Sequence, residues 1–360
     1  MQRQTIYTNV THKRPRLVIV LSVILALTVV ALVVLWARYG YRAARFEATN
    51  YAMGTYIQQT VYGRNAEQGA ANAAAAIGDL ENLISWRVED SDIAKLNDQA
   101  GSQWTTIDPV TTDLLALALE VAEKSDGAFD PTILPVTMLW DFGGDNQHVP
   151  SQEDLNRFLP YVNYEDLRVD VMESSASLKY HYMGIDLGAL GKGAAADEAV
   201  AAYGASGVDA AVVAVGGSVG VYGEKKDGSL WSIAVRDPKA GDEGASLGTL
   251  EIASGFVSTS GSYEKTFEEN GSVYHHLLNP KTGMPENNGL VSVTVTHTRG
   301  AVSDALSTAC FIMGEEKGRA LLEEYGAGGI FIYEDGRVVV TENLKDAFRL
   351  TETATYRLES

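Results

Sequence analysis

The amino-acid sequence predicts an α+β fold of mixed sheets with packed helices, preceded by a single N-terminal transmembrane helix. Three observations carry this expectation. Helical and strand patterns follow one another after residue 50 without a regular βαβ alternation, which argues against a doubly wound parallel sheet. Residues 17–36 form an unbroken uncharged run in which only Ser22 and Thr28 are polar. The 360 residues are 46% apolar and 21% charged, as in an ordinary globular chain and unlike a disordered one.

The apolar run is twenty residues long, and at a helical rise of about 1.5 Å it covers ~30 Å, the hydrocarbon thickness of a bilayer. Trp36 and Tyr39 stand where interfacial aromatics sit. A cleavable signal peptide would have a shorter apolar region, about 7–15 residues, followed by a small-x-small site that is absent here. Four basic residues precede the run and three follow it, which favours a cytoplasmic N-terminus and an extracytoplasmic body on the cell membrane. The expected organisation is a basic tail at 1–16, an anchor at 17–36, a linker at 37–50, a body at 51–345 and a C-terminal tail at 346–360.

In the body, residues 55–62 are β-branched and aromatic and read as a strand. Residues 67–84 and 110–124 carry apolar side chains at helical spacing, and Gly127 ends the second helix. Ser151 caps a short helix at 151–158. Residues 193–203 are an alanine-rich helix. The apolar run at 208–215 is a buried strand broken by Gly216-Gly217. Strands are expected at 231–235, 247–252, 255–259 and 291–296. Helices are expected at 303–313 and 315–325, and a closing hairpin at 329–340 around Glu334-Asp335-Gly336.

Charge is unevenly placed. Seven of the 28 basic residues and none of the 47 acidic ones lie before residue 46, leaving 21 against 47, a net of −26 on the body. Such a body repels phosphate backbones, so nucleic acid is not an expected partner. An anionic ligand needs local help from a metal ion, a lysine or a helix N-terminus. The single cysteine, Cys310, lies in an apolar run and reads as a buried small hydrophobe.

Five segments carry the candidate chemistry. Gly127-Ala128-Phe129-Asp130-Pro131-Thr132 follows a helix, as a turn or a ligand contact. In Asp186-Leu187-Gly188-Ala189-Leu190-Gly191-Lys192-Gly193 the glycines allow close backbone approach and Lys192 adds a cation. The order fits neither a P-loop nor the Gly-x-Gly-x-x-Gly pattern, and a plain connector is the alternative. Val215-Gly216-Gly217-Ser218 ends the buried strand. Next come Ser258-Thr259-Ser260-Gly261 and a stretch from Tyr274-His275-His276 to Pro280-Lys281-Thr282-Gly283. Adjacent histidines on a strand face opposite ways, so one of them serves better as a base than both as zinc ligands. In Ser303-Asp304-Ala305-Leu306-Ser307-Thr308, Ser303 would cap a helix, with Asp304 and Thr308 on one face. A carboxylate and a hydroxyl suit Mg²⁺ or Ca²⁺, unless Asp304 merely complements the helix dipole.

In order and spacing these segments resemble the ApbE family of FAD:protein FMN transferases. The resemblance also takes in Met53-Gly54-Thr55, Ser91-Asp92-Ile93, Asn97, Trp140 and Thr259-Ser260-Gly261-Ser262-Tyr263-Glu264, and covers nearly all of residues 50–340. It implies an ApbE-like fold. It implies that Met53, Trp86, Ala128, Phe129, Asp130, Asp186, Lys192 and His276 contact FAD. Asp304, Thr308 and the carbonyl of Ala189 would hold Mg²⁺, or Ca²⁺ or Mn²⁺ in its place, with His276 and Asp304 catalytic. The implied reaction moves FMN from FAD onto a Thr or Ser hydroxyl of an acceptor flavoprotein as a phosphoester, releasing AMP. A metal-dependent FAD pyrophosphatase and a non-catalytic surface flavin-binding module are the alternatives. Three positions depart from the family pattern: Ser218 and Asn279 stand where Asp is common, and Ser262 where Asp or Asn is common.

Overall fold

The computed structural model describes residues 15–35, 45–240 and 244–359. Helix α1 (Pro15–Leu35) begins within the expected basic tail, and its side chains are described from Ile19 onward, all exposed. No helix among the described residues is long and apolar enough to cross a membrane. Trp36, Tyr39 and residues 37–44 of the expected linker lie outside the described residues.

The body opens with a hairpin, β1 (Arg45–Ala52) and β2 (Thr55–Tyr62), paired from Ala52↔Thr55 to Arg45↔Tyr62. Residues 45–50, expected as linker, are therefore strand. Their backbone is taken up by β2, and Phe46 and Ala48 pack on the core. Helix α2 (Ala66–Ile84) buries Ala66, Ala70, Ala73, Ile77, Leu80 and Ile84, a spacing of three and four that gives one apolar stripe. Helix α3 (Asp92–Asp98) and strand β3 (Thr105–Thr106) lead to α4 (Pro109–Lys124). Asp108 caps α4 by accepting the Val110 N–H, with Pro109 in the first turn. At the other end Gly127, at φ +71°, returns its N–H to the Ala122 carbonyl. Helices α5 (Leu134–Trp140) and α6 (Gln152–Phe158) follow, the latter capped by Ser151 as expected.

The remainder runs β4 (Leu167–Asp170), β5 (Ser175–Leu178), α7 (Gly188–Ser206), β6 (Ala210–Val215), β7 (Ser218–Gly223), β8 (Trp231–Arg236) and β9 (Ser246–Ile252). Then come β10 (Gly255–Gly261), β11 (Thr266–Glu269), β12 (Ser272–His275), β13 (Leu290–His297), α8 (Gly300–Met313) and α9 (Glu315–Glu324). The chain closes with β14 (Gly328–Tyr333), β15 (Arg337–Val340), β16 (Phe348–Leu350) and β17 (Arg357–Glu359). A nine-stranded sheet in the order β1-β2-β6-β7-β10-β13-β14-β15-β17 is the centre of the molecule. Residues 348–350 and 357–359 of the expected tail at 346–360 belong to the body: β16 pairs with β9, and β17 pairs with β15 in parallel.

Side chains alternate across this sheet, as the period of two requires. Ala211, Val213 and Val215 of β6 and Phe331 of β14 pack with α2, α7 and α8 in one core. Ala210, Ile330 and Ile332 point the other way, into a second core roofed by β8, β9 and β16. A satellite cluster around Trp140, Phe142 and Leu155 lies beneath the loops between α5 and β4. Cys310 is fully buried, and burial pushes its thiol pKa up, as befits an inert small hydrophobe.

Candidate active site

The site grows from the packing of α7 against α8. Both helices begin earlier than the sequence pattern suggests. Helix α7 starts at Gly188, so the glycine segment forms its first turns, whereas the sequence read it as a preceding loop. The Gly188 N–H is satisfied by Asp186 Oδ1 at 2.8 Å. Helix α8 starts at Gly300 with Arg299 at the cap position. Ser303, expected as the cap, sits inside the helix, donates to the Gly300 carbonyl at 2.9 Å and shares a hydrogen bond with Ser258.

Glycine is needed where the helices cross. A Cβ on Gly193 would lie 2.1 Å from the Gly300 carbonyl oxygen and 2.7 Å from Asp304 Cβ. That approach lets the Gly193 N–H donate to Asp304 Oδ2 at 2.9 Å. In a regular α-helix the same N–H would serve the carbonyl of Ala189, four residues back. The bond to Asp304 puts α8's carboxylate beside the first turns of α7.

Asp304 is buried, and desolvation raises its pKa against the opposing pull of Lys192 and the Gly193 N–H. Ser218 Oγ, buried and without a well-formed hydrogen bond, also helps to hold the charge. Within α8 every residue except Thr308 and Met313 is buried. Thr308 Oγ1 meets Ser260 Oγ at 3.0 Å, and Ser260 also meets Ser307 at 2.7 Å. Among the described residues no three His, Cys, Asp or Glu side chains gather as a metal cage. A cation here would rest on one carboxylate, one hydroxyl and one carbonyl. That hard, all-oxygen set with few protein ligands suits Mg²⁺, and a buried carboxylate short of counter-charge is what a cation would relieve.

One cation, Lys192, acts on this carboxylate, and further cations lie around Lys192. Lys192, on α7 one residue before Gly193, acts on Asp304, Lys265 and His276. Lys265, in a left-handed turn at φ +42°, has its pKa lowered by desolvation first and then by Lys192, with Arg87 adding to the effect and Asp186 opposing it. The two adjacent histidines divide their roles. His275 Nε2 faces the Glu286 carbonyl at 3.0 Å and its Nδ1 faces the Leu277 N–H at 3.3 Å, so both nitrogens are spent. His276 Nδ1 faces the Glu264 carbonyl at 2.9 Å. A carbonyl only accepts, so Nδ1 carries the proton and Nε2 keeps its lone pair. Desolvation, reinforced by Lys265 and Lys192, holds the His276 pKa down to about 3, so the ring is neutral.

The other expected contacts lie around this centre in different states. Met53, at φ +54°, tops the β1–β2 hairpin, donates its N–H to Glu81 and brings its methyl group against Gly191. The Trp86 ring is covered on one face by the Arg87 guanidinium at 3.9 Å. Ala128 is half-buried and Phe129 is core. Asp130 is buried, and its carboxylate is used locally: Oδ1 accepts from Thr132 N–H and Oγ1, and Oδ2 accepts from the Tyr164 N–H. It shapes its turn. The turn borders an open cavity of about 440 Å³, also lined by Asp126, Gly127, Tyr164 and Lys281. It joins the Asp186 segment through the bond from Asp186 N–H to the Pro131 carbonyl at 2.8 Å. Trp140 ties the same region to the 279–283 loop by donating from Nε1 to the Gly283 carbonyl at 2.8 Å.

Asn279 explains its own departure from the family pattern. Its Oδ1 accepts the Lys281 N–H as an Asp would, while Nδ2 donates to Glu286 at 2.6 Å, where a carboxylate would be repelled. Ser262 instead reaches the Val291 carbonyl, at 3.3 Å. Sequence reasoning passed over Arg87, Lys265, Asp197 and Ser260 as participants. Each lies in or beside a quoted segment, but only the fold brings them together.

The ApbE family profile matches residues 53–331. The FAD:protein FMN transferase of Treponema pallidum is 32% identical over 332 residues, 86% of this chain and 91% of that protein. Its Escherichia coli K12 counterpart is 29% identical over 79% of this chain and 83% of its own length. Among solved structures, the ApbE protein of Thermotoga maritima superposes with a TM-score of 0.78 at 31% identity, covering 85% of this chain and all of that one. The flavinyl transferase ApbE of Pseudomonas stutzeri superposes at 0.73 and 28% identity, over 84% of this chain and 96% of that one. With the family profile spanning most of the body and the fold shared over some 85% of the chain, the chain belongs to the ApbE family.

Proposed function

We propose that this protein transfers the FMN half of FAD to a Thr or Ser hydroxyl of an acceptor flavoprotein, making a phosphoester and releasing AMP. Family membership supports the flavin chemistry. The observation that carries the mechanism is the meeting of α7 and α8, where Asp304, the Gly193 N–H and Lys192 converge in a body of strongly negative charge. A diphosphate can be seated there because cations and helix N–H groups oppose the body's field.

Bound Mg²⁺, or Mn²⁺ or Ca²⁺, would neutralise charge on the pyrophosphate, held by Asp304, Thr308 and the Ala189 carbonyl. Lys192, with Lys265 and Arg87 nearby, stabilises the remaining phosphate charge. The neutral imidazole of His276 presents Nε2 as proton acceptor, with its tautomer fixed by the Glu264 carbonyl. The acceptor oxygen attacks the FMN-side phosphorus and its proton goes to His276. The bond from that phosphorus to the bridging oxygen breaks and AMP departs. Met53 and the Trp86 ring would serve as apolar surfaces for the ring systems.

Mass spectrometry of a candidate acceptor, after incubation with FAD and Mg²⁺, should show an added FMN. Free FMN and AMP with an unmodified acceptor would identify hydrolysis as the activity instead. Residues 17–36 are proposed as a single-pass anchor in the cell membrane, with the body outside the cytoplasm. Protease added to intact spheroplasts should then digest the body, and protection of the body would refute that orientation.

A further inference from the structure

Helix α8 lacks a side-chain cap from its own N-cap residue, Arg299. Its first N–H groups are satisfied from α7. Asp197 Oδ1 accepts the Gly300 N–H at 2.6 Å, and Oδ2 accepts the Ala301 N–H at 2.8 Å. Both oxygens of one carboxylate therefore fasten the start of α8 to the middle of α7. One turn earlier on α7 is Gly193, whose missing side chain admits the Gly300 carbonyl and whose N–H reaches Asp304, one turn further along α8. A second glycine at the crossing, Gly300, would place a Cβ 2.2 Å from the Gly193 carbonyl oxygen. Continued by one turn in each direction, this antiparallel register would bring Ala189 of α7 toward Thr308 of α8.

We infer that Asp197 is a positioning residue for the cation site. It fixes the register in which the α7 carbonyl of Ala189 and the α8 oxygens of Asp304 and Thr308 face one point. This deepens, and rests on, the metal site given under Proposed function. Three expected ligands come from two helices, and a helix shifted by a fraction of a turn no longer presents them together. The Gly193–Gly300 contact sets how closely the helices approach, and the Asp197 carboxylate sets where along its axis α8 begins. Asp197 is half-buried, and desolvation raises its pKa, so its charge is kept by the two N–H bonds and not by solvent. A bidentate carboxylate is the side chain that satisfies two successive helix N–H groups at once.

The test measures Mn²⁺ binding by electron paramagnetic resonance in the absence of FAD, together with melting temperature in EDTA. Asp197→Asn keeps size but can accept only one of the two N–H groups well, and Asp197→Ser accepts at most one. Both should weaken Mn²⁺ binding by about tenfold or more, the range seen when a group that orients metal ligands is lost. Gly193→Ala attacks the same register from a different atom and should weaken binding likewise. At saturating metal the KM for FAD should change much less than the metal requirement. A variant that melts earlier yet binds Mn²⁺ as tightly as the parent, or that unfolds outright, would show Asp197 to be a structural cap and overturn the inference. If the unaltered protein itself binds no Mn²⁺ at Asp304, the metal-site reading fails first.

Discussion

On the face of the large sheet covered by α2, α7 and α8, Ser218, Ser258 and Ser260 meet Ser303, Asp304 and Ser307 of α8. On the face roofed by β8, β9 and β16, the contacts are Trp231, Ile233, Leu250, Val257, Ile330, Ile332 and Phe348. The helix-covered face also holds a large apolar core, and the difference is the patch beneath α8, where hydroxyls and a carboxylate are buried among it. Buried hydroxyls and a buried carboxylate add little net stability, since their hydrogen bonds mostly replace those once made to water. Small hydroxyl side chains let α8 approach the sheet closely and hold Asp304 where α7 can reach it. The apolar face carries stability through area removed from water and close packing. The polar patch under α8 thus serves the site and the apolar contacts of the opposite face the fold, so single substitutions at the two should separate activity from stability.

The largest effect is expected in the polar patch. Asp304→Ala should lower the rate of acceptor flavinylation by about 10³-fold. Its melting temperature in EDTA should be kept or raised, since a buried and poorly compensated charge is removed. On the apolar face, Leu250→Ala should cost about 2–5 kcal/mol in denaturant unfolding, with Mn²⁺ binding by the folded protein unchanged. If this change also weakened the metal site, the division between the faces would fail.

His276→Gln should reduce kcat by about 10²-fold with little change in FAD binding. It should also alter the acid limb of stability. The His276 pKa in the folded protein, about 3, lies below its ordinary 6.5. The neutral form is therefore favoured by folding, and stability held above pH 6.5 is lost as pH falls toward 3. Urea titrations across that window should show a shallower decline in the glutamine variant.

The smallest effect is expected at Ser292, whose buried hydroxyl has no hydrogen-bond partner. Ser292→Ala should be neutral or stabilising by less than about 1 kcal/mol. Ser260→Ala, which breaks bonds to Ser307 and Thr308, should weaken Mn²⁺ binding.

Much of this was legible in the sequence because local physics wrote it there. Strand 55–62, the stripe of α2 and the Ser151 cap follow from spacing and capping alone. The ends of the body were not legible. β1, β16 and β17 are edge strands that exist because a partner strand takes up their backbone. The starts of α7 and α8 were misread for a related reason. Glycine pairs look like loop, and here they mark a helix crossing whose cap, Asp197, lies about a hundred residues away in sequence. Asp304, Thr308, Lys192 and His276 were found through family resemblance. Lys265 and Arg87 were missed because charge clustering is a property of the folded surface. Of the two histidines, strand alternation favours one as a base and the resemblance names His276, while in the structure both nitrogens of His275 have partners.

The central claim is that Asp304, Thr308 and the Ala189 carbonyl bind one cation next to the FAD diphosphate. Its most direct test is a crystal grown with FAD and Mn²⁺ and measured at the manganese absorption edge. The account predicts one anomalous peak bounded by those three oxygens and touching the pyrophosphate. An anomalous peak elsewhere, or FAD bound with those oxygens facing no metal, would contradict it.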